Sequence, residues 1–170
     1  MPNPETSAAD QVLAREVMTC PVRAVRDDAS VVDAARRMTA HRVGALAVLD
    51  GKGRGIGVVS ASDIVSYEMT RARRLMGPAR YAKLGSMGMG KEPGGFVFQW
   101  SGEAKVRDVM TQGIVTAPST ATLGEVAWIM SQKRIHRVFL GKSGRILGVV
   151  SSFDVARVVG RASGPACSLR

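Results

Sequence analysis

The sequence predicts a mixed α/β (α+β) fold made of two copies of a strand, helix, strand, strand, helix unit, and three observations predict it. Gly57-Val58-Val59-Ser60-Ala61-Ser62-Asp63 returns 91 positions later as Gly148-Val149-Val150-Ser151-Ser152-Phe153-Asp154. Val17-Met18-Thr19, Ser30, Asp33 and Met38 return, displaced by 92, as Val109-Met110-Thr111, Thr122, Glu125 and Met130. Inside each copy, β-branched runs of strand type alternate with apolar residues at helical spacing. The displacement changes between Asp50 and Gly57, in a glycine-rich stretch where a turn tolerates a length difference.

Taken in order, 1–16 is an N-terminal segment, polar and proline-bearing over its first ten residues and expected to fray. Gln11 to Met18 carries Val12, Leu13, Val17 and Met18, enough for a short helix or an entry segment across the core. The first copy spans 17–66. Val22 to Val25 reads as a short strand. Ser30 and Asp33 form a capping box before Val31, Ala34, Ala35 and Met38, which share one helical face. Ala45 to Leu49 and Ile56 to Ser60 are hairpin strands around an Asp50–Gly55 turn, and a helix follows from about Ser62 toward Leu75.

The segment 67–108 is the least repetitive. It opens as a basic helix with Arg71, Arg73, Arg74, Arg80 and Lys83 and continues as a glycine- and methionine-rich loop, Gly85 to Gly102, with Phe96, Phe98 and Trp100 near its end. The second copy, 109–160, repeats the order with Thr122 and Glu125 as its capping box and Val138–Leu140 and Ile146–Ser151 as its hairpin. A polar tail, 161–170, is expected to be disordered.

At 170 residues and 45% hydrophobic content the chain can bury an ordinary core, whereas two copies of about fifty residues are each marginal alone and are expected to pack together. No apolar run approaches the roughly 20 residues of a membrane span, and the start lacks a secretory pattern, so a soluble cytoplasmic protein is expected. Cys20 and Cys167 have no metal-ligand spacing and read as free thiols. With 24 Lys and Arg against 14 Asp and Glu the net charge is +10, which favours anionic partners: nucleotides, nucleic acid or acidic protein faces.

The chemistry concentrates where a strand meets Ser-x-x-Asp. Such a junction exposes unpaired backbone N–H groups beside a hydroxyl and a carboxylate, and can hold a polar ligand. Ser-x-x-Asp is equally a helix capping box. Catalysis finds little support, since only two histidines are present, no phosphate-loop motif occurs, and Asp63 and Asp154 belong to equivalent positions of two copies rather than one site.

The two Val-Met-Thr strings, the capped helices and above all the two Gly-Val-Val-Ser-x-x-Asp phrases resemble the cystathionine-β-synthase (CBS) domain in its tandem form, the Bateman module, over about 100 of the 170 residues. The resemblance implies two β-α-β-β-α units packed sheet to sheet with pseudo-two-fold symmetry. It also implies two clefts for adenosine-containing ligands such as AMP, ADP, ATP or S-adenosylmethionine, with no catalytic cofactor, and a regulatory role toward another protein. It assigns Asp63 with Ser60, and Asp154 with Ser151, to ribose and phosphate. It sets the Asp63 side against Ile135-His136-Arg137-Val138, where His136 and Arg137 resemble a phosphate-contacting pair. The Asp154 side would face Val43-Gly44-Ala45-Leu46 and be more nucleoside-like. Adenine would lie against Val22 and Val150 in one cleft and Ile114 and Val59 in the other.

The expected assembly is a homodimer acting on a separate regulated protein, with Met38, Met130 and Trp128 as candidates for its surface, although a methionine stripe is more often core. A second function class is a nucleic-acid or protein interaction scaffold using the basic 67–105 insert.

Overall fold

The computed structural model describes residues 11–77, 104–142 and 145–163. The start expected to fray, the segment Gly85 to Gly102 expected to be a loop, Arg80, Lys83 and Cys167 lie outside them. In chain order the elements are α1 (Ala14–Val17), β1 (Ala24–Arg26), α2 (Val31–His41), β2 (Ala45–Leu49), β3 (Gly55–Ser60) and α3 (Ala61–Met76). They continue with α4 (Val106–Val109), β4 (Thr111–Gln112), β5 (Thr116–Ala117), α5 (Leu123–Lys133), β6 (Arg137–Lys142), β7 (Arg145–Ser151) and α6 (Ser152–Ser163).

The chain divides into two compact units. Among the described residues, one holds 24–48, 57–77 and 104–112, the body of the first copy together with the segment that opens the second. The other holds 11–23, the hairpin tip 49–56, and the described residues from Gly113 onward. Each copy's Val-Met-Thr segment therefore belongs to the unit of the other copy.

In the first-copy unit the sheet order is β1-β2-β3-β4, with β4 antiparallel to β3 through Gly57 opposite Gln112 and Val58 opposite Thr111. Val25, Leu46, Val48 and Val59 of the strands and Val31, Ala34, Met38 and Ile64 of the helices are all buried. The segment before β4 is sewn in by backbone bonds from Val31 N–H to Ala104 C=O and from Val106 N–H to Ala29 C=O, 3.0 and 2.9 Å.

In the second-copy unit β5 runs parallel to β6, a pairing that needs a crossover helix, which α5 supplies. β7 is antiparallel to β6, and its register shifts at Leu140 and Gly141. Leu123, Val126, Met130, Val138, Leu140 and Val150 form the core, together with Ala14 of α1. Leu13 bridges Thr122, and Thr19 bridges Val149. The entry segment is thus an added edge on this unit.

The helices start where the capping residues stand. Thr122 and Glu125 exchange both bonds of a capping box. Ser30 makes only half of one: its Oγ accepts from Asp33 N–H at 3.0 Å, but the Asp33 carboxylate accepts from the Ser30 hydroxyl at 2.7 Å instead of from the Ser30 N–H. Both first helices end on a left-handed residue, Arg42 and Arg134, each at φ 52°. The expected strand at 22–25 begins at Ala24, leaving Val22 ahead of it. Met38 and Met130 are core residues, 5% and 6% exposed, so they offer no surface to a second copy, whereas Trp128 is 65% exposed.

Candidate functional site

Both strand-to-helix junctions are built the same way. Ser60 ends β3 in extended conformation, and its Oγ accepts from Asp63 N–H at 3.2 Å. The Asp63 Oδ2 accepts from the Ser60 N–H at 2.8 Å and from its hydroxyl at 2.6 Å. In the other unit Ser151 and Asp154 repeat the pattern, with Asp154 Oδ2 accepting from the Ser151 N–H at 2.9 Å and its hydroxyl at 2.7 Å. Both Ser-x-x-Asp pairs are therefore working helix caps.

The other carboxylate oxygen separates them. Asp154 is buried, and its Oδ1 accepts from Arg157 Nη2 at 3.1 Å. The equivalent of Arg157 in the first copy is Ser66. Asp63 is half-buried, and its Oδ1 accepts no hydrogen bond among the described residues. Among the described residues, one copy closes its acceptor with a guanidinium and the other leaves it open.

His136 and Arg137 share a unit with Asp154. Arg137 opens β6 directly across from Ser151 on β7, which puts both side chains on one sheet face. The His136 carbonyl accepts from the Ser152 N–H at 3.0 Å, leaving the exposed ring unused in this bond. Burial pushes the Arg137 guanidinium below the ordinary arginine value, and among the described residues no carboxylate pairs with it. Ser60 and Asp63 lie in the first-copy unit. Val59 and Val150 are fully buried in their cores and present no surface, while Val22 and Ile114 are half-buried in the second-copy unit.

A groove of about 520 Å³ runs along α3, lined by Asp63, Ser66, Tyr67, Thr70, Arg71 and Arg74, with Asp108 and Val109 of α4 as its other wall. Arg71 is held by Glu68, Nη1 to Oε2 at 3.3 Å. Glu68 is 4% exposed, and its Oε1 has no hydrogen-bond partner among the described residues. Asp108 is turned toward its own helix start, its Oδ2 accepting from the Lys105 N–H at 2.9 Å. Sequence reasoning named Arg71 and Arg74 as part of a basic helix but missed Ser66, Tyr67 and Thr70. The signal was present, because these residues follow Asp63 at intervals of three and four on one helical face.

No helix among the described residues is long and apolar enough to cross a membrane. The CBS domain pattern matches residues 14–70 and again 106–161. The protein MJ1426 of Methanocaldococcus jannaschii is 25% identical over 151 residues, covering 85% of this chain and 89% of that protein. Among solved structures, the CBS domain pair of MJ0100, in complex with 5′-methylthioadenosine and S-adenosyl-L-methionine, superposes with a TM-score of 0.66 at 20% identity, covering 89% of this chain and 98% of that one. CBSX2 in complex with AMP superposes with a TM-score of 0.64 at 19% identity, covering 90% and 99%. Two tandem matches over most of the described residues, on a fold shared with CBS domain pairs, have one consequence: the chain belongs to the CBS domain family.

Proposed function

We propose that the protein is a regulatory module that binds an adenosine-containing molecule at its strand-to-helix junctions and passes occupancy to a separate protein. The observation that carries the reading is the Asp63 carboxylate. One of its oxygens is held rigidly by the cap, and the other is left to accept from a ligand hydroxyl. A carboxylate so oriented suits a vicinal diol, which offers two O–H donors. Arg137, half-buried beside Ser151 with no carboxylate partner among the described residues, is the proposed anion contact of the second-copy unit, with His136 next to it. The complexes of MJ0100 with S-adenosyl-L-methionine and of CBSX2 with AMP support adenosine as the common element.

In this reading the protein acts in the cytoplasm as a homodimer, with the exposed Trp128 on its contact surface, and carries out no chemistry on its ligand. Calorimetric titration with AMP, ADP, ATP and S-adenosylmethionine tests it, on the wild type, Asp63→Ala and Asp154→Ala. Saturable binding that weakens at least tenfold in Asp63→Ala is the expected result. A folded protein that binds none of the four would reduce both Ser-x-x-Asp pairs to helix caps.

A further inference from the structure

We infer that the corner of the second-copy unit where α5 turns into β6 and β7 turns into α6 is a contact surface for single-stranded nucleic acid. Lys133 ends α5, Arg134 caps it, and His136 leads into Arg137, the first residue of β6. Lys133, Arg134 and His136 are exposed, Arg137 is half-buried, and none of the four forms an ion pair among the described residues. The Ser152 N–H donates to the His136 carbonyl at 3.0 Å, which brings the start of α6 alongside. The next residue is Phe153, 74% exposed. Cations and a bare aromatic ring share one corner.

The carboxylates of this unit stand elsewhere or are already paired. The sequence holds no Asp or Glu between Glu125 and Asp154. Asp154 is buried and paired with Arg157 at 3.1 Å, so its charge is met locally. Asp50, on the hairpin tip, is paired with Arg54 at 2.8 Å. Glu125 sits in the first turn of α5 with its Oε2 on the Thr122 N–H, about 13 Å along the axis from Arg134. Glu16 is on α1, whose Ala14 N–H bonds the Ala121 carbonyl at that same far end of α5.

The fold does not demand this set. Basic residues at a helix C-terminus meet the negative end of its dipole, which accounts for Lys133 and Arg134. It does not account for the others. At the equivalents of Lys133, Arg134, His136 and Arg137 the first copy has His41, Arg42, Gly44 and Ala45, and at that of Phe153 it has Ser62, yet it forms the same helix and strands. The second copy therefore carries an imidazole, a guanidinium and an exposed ring that folding does not use.

The mixture selects the ligand class. Cations suit phosphates, and the exposed rings of Phe153 and His136 suit unstacked bases. A duplex keeps its base faces stacked inside and an acidic peptide has none, so neither would use the rings. His136 and Arg137 also serve the adenosine reading above. Lys133, Arg134 and Phe153 do not, and they carry the test.

The test is fluorescence anisotropy of the full chain with labelled oligothymidylate and oligouridylate of about 12 nucleotides, which separate DNA from RNA, with a DNA duplex of the same length and with polyglutamate, over a salt series. The variants are Phe153→Ala, the pair Lys133→Gln and Arg134→Gln, and the pair Arg36→Gln and Arg37→Gln, which removes as much exposed charge from the corresponding helix of the first copy. At least one single strand is expected to bind about tenfold tighter than the duplex or polyglutamate. Phe153→Ala should weaken it about fivefold or more without altering its salt dependence, and should leave AMP affinity unchanged. The Lys133 and Arg134 pair should weaken it and make the slope of log affinity on log salt shallower by about 1, whereas the Arg36 and Arg37 pair should change it less than about twofold. Absence of binding, equal binding of the duplex or polyglutamate, indifference to Phe153→Ala, or an equal loss in the Arg36 and Arg37 pair would overturn the surface. So would an equal loss of AMP and oligonucleotide in Phe153→Ala, since the ring would then belong to the adenosine site.

Discussion

The side chain of Met18 fills the space in front of Gly148 that a β-carbon would occupy, and Met110 stands in the same relation to Gly57. The methionine of each Val-Met-Thr string thus packs on the glycine of the Gly-Val-Val-Ser phrase from the other copy. Glycine is required at both positions by this close approach rather than by backbone conformation. Gly148→Ala would press on Met18 Cγ at 2.8 Å, and Gly57→Ala on the Thr111 carbonyl at 2.6 Å as well as on Met110. Both are expected to lower stability by about 1–3 kcal/mol, read by chemical denaturation. Adding Met18→Ala should recover part of the loss in Gly148→Ala. Adding Met110→Ala should recover less in Gly57→Ala, because the backbone carbonyl remains.

The two aspartates should separate stability from binding. Asp154, itself buried, pairs with Ser151 and the exposed Arg157, whereas among the described residues Asp63 satisfies only its cap. Asp154→Ala is therefore expected to destabilise more, by about 1–3 kcal/mol against about 1 kcal/mol for Asp63→Ala. Ligand titration should rank them in the opposite order. Equal melting-temperature losses would show that the Arg157 contact contributes nothing.

Arg137 offers a test with opposite signs. A half-buried guanidinium without a carboxylate partner among the described residues is held against its desolvation cost, and the apolar stem of methionine fits the same path. Arg137→Met should melt at or above the wild-type temperature while losing affinity for phosphorylated ligands. A large drop in melting temperature would mean that the arginine is structural.

Acid stability has a defined contributor at the hairpin turn. The Asp50 carboxylate is held below the ordinary aspartate value, first by the Arg54 backbone N–H and then by its guanidinium and the Lys52 N–H. A depressed folded-state value means that this stabilisation is complete above the unfolded value of about 3.9 and is lost as pH falls through the lower folded value. Denaturation profiles should show a shallower acid limb below about pH 4 for Asp50→Asn, and no difference from wild type in pH slope near neutrality.

The regular parts of this fold were legible because the repeat reports each element twice. The hairpin strands of the first copy, Ala45–Leu49 and Gly55–Ser60, and the caps at Ser60 and Thr122 follow from β-branched runs and polar punctuation alone. The two-residue strand Thr111–Gln112 was not legible, since so short a pairing carries no periodicity and is set by its partner β3. Nor does local sequence say that Met18 belongs with Gly148: both were visible as motifs, but their contact joins the opening of one copy to the last strand of the other. At the candidate site, the capping role of the Ser60–Asp63 and Ser151–Asp154 pairs could be read directly. The freedom of Asp63 Oδ1 depends on what stands three residues later, Ser66 in place of Arg157, and emerges only when side-chain contacts are traced.

The exchange of opening segments also orders events during synthesis. Ala14 and Thr19 leave the ribosome early, yet their partners Ala121 and Val149 come near the end of the chain. The first copy likewise waits for Ala104 and Val106 before the bonds of Val31 and Ala29 can form. Contacts of such sequence separation form slowly. A nascent chain halted between the copies would display an unfinished sheet edge and an unclaimed N-terminal segment, the state on which a chaperone or a protease would act.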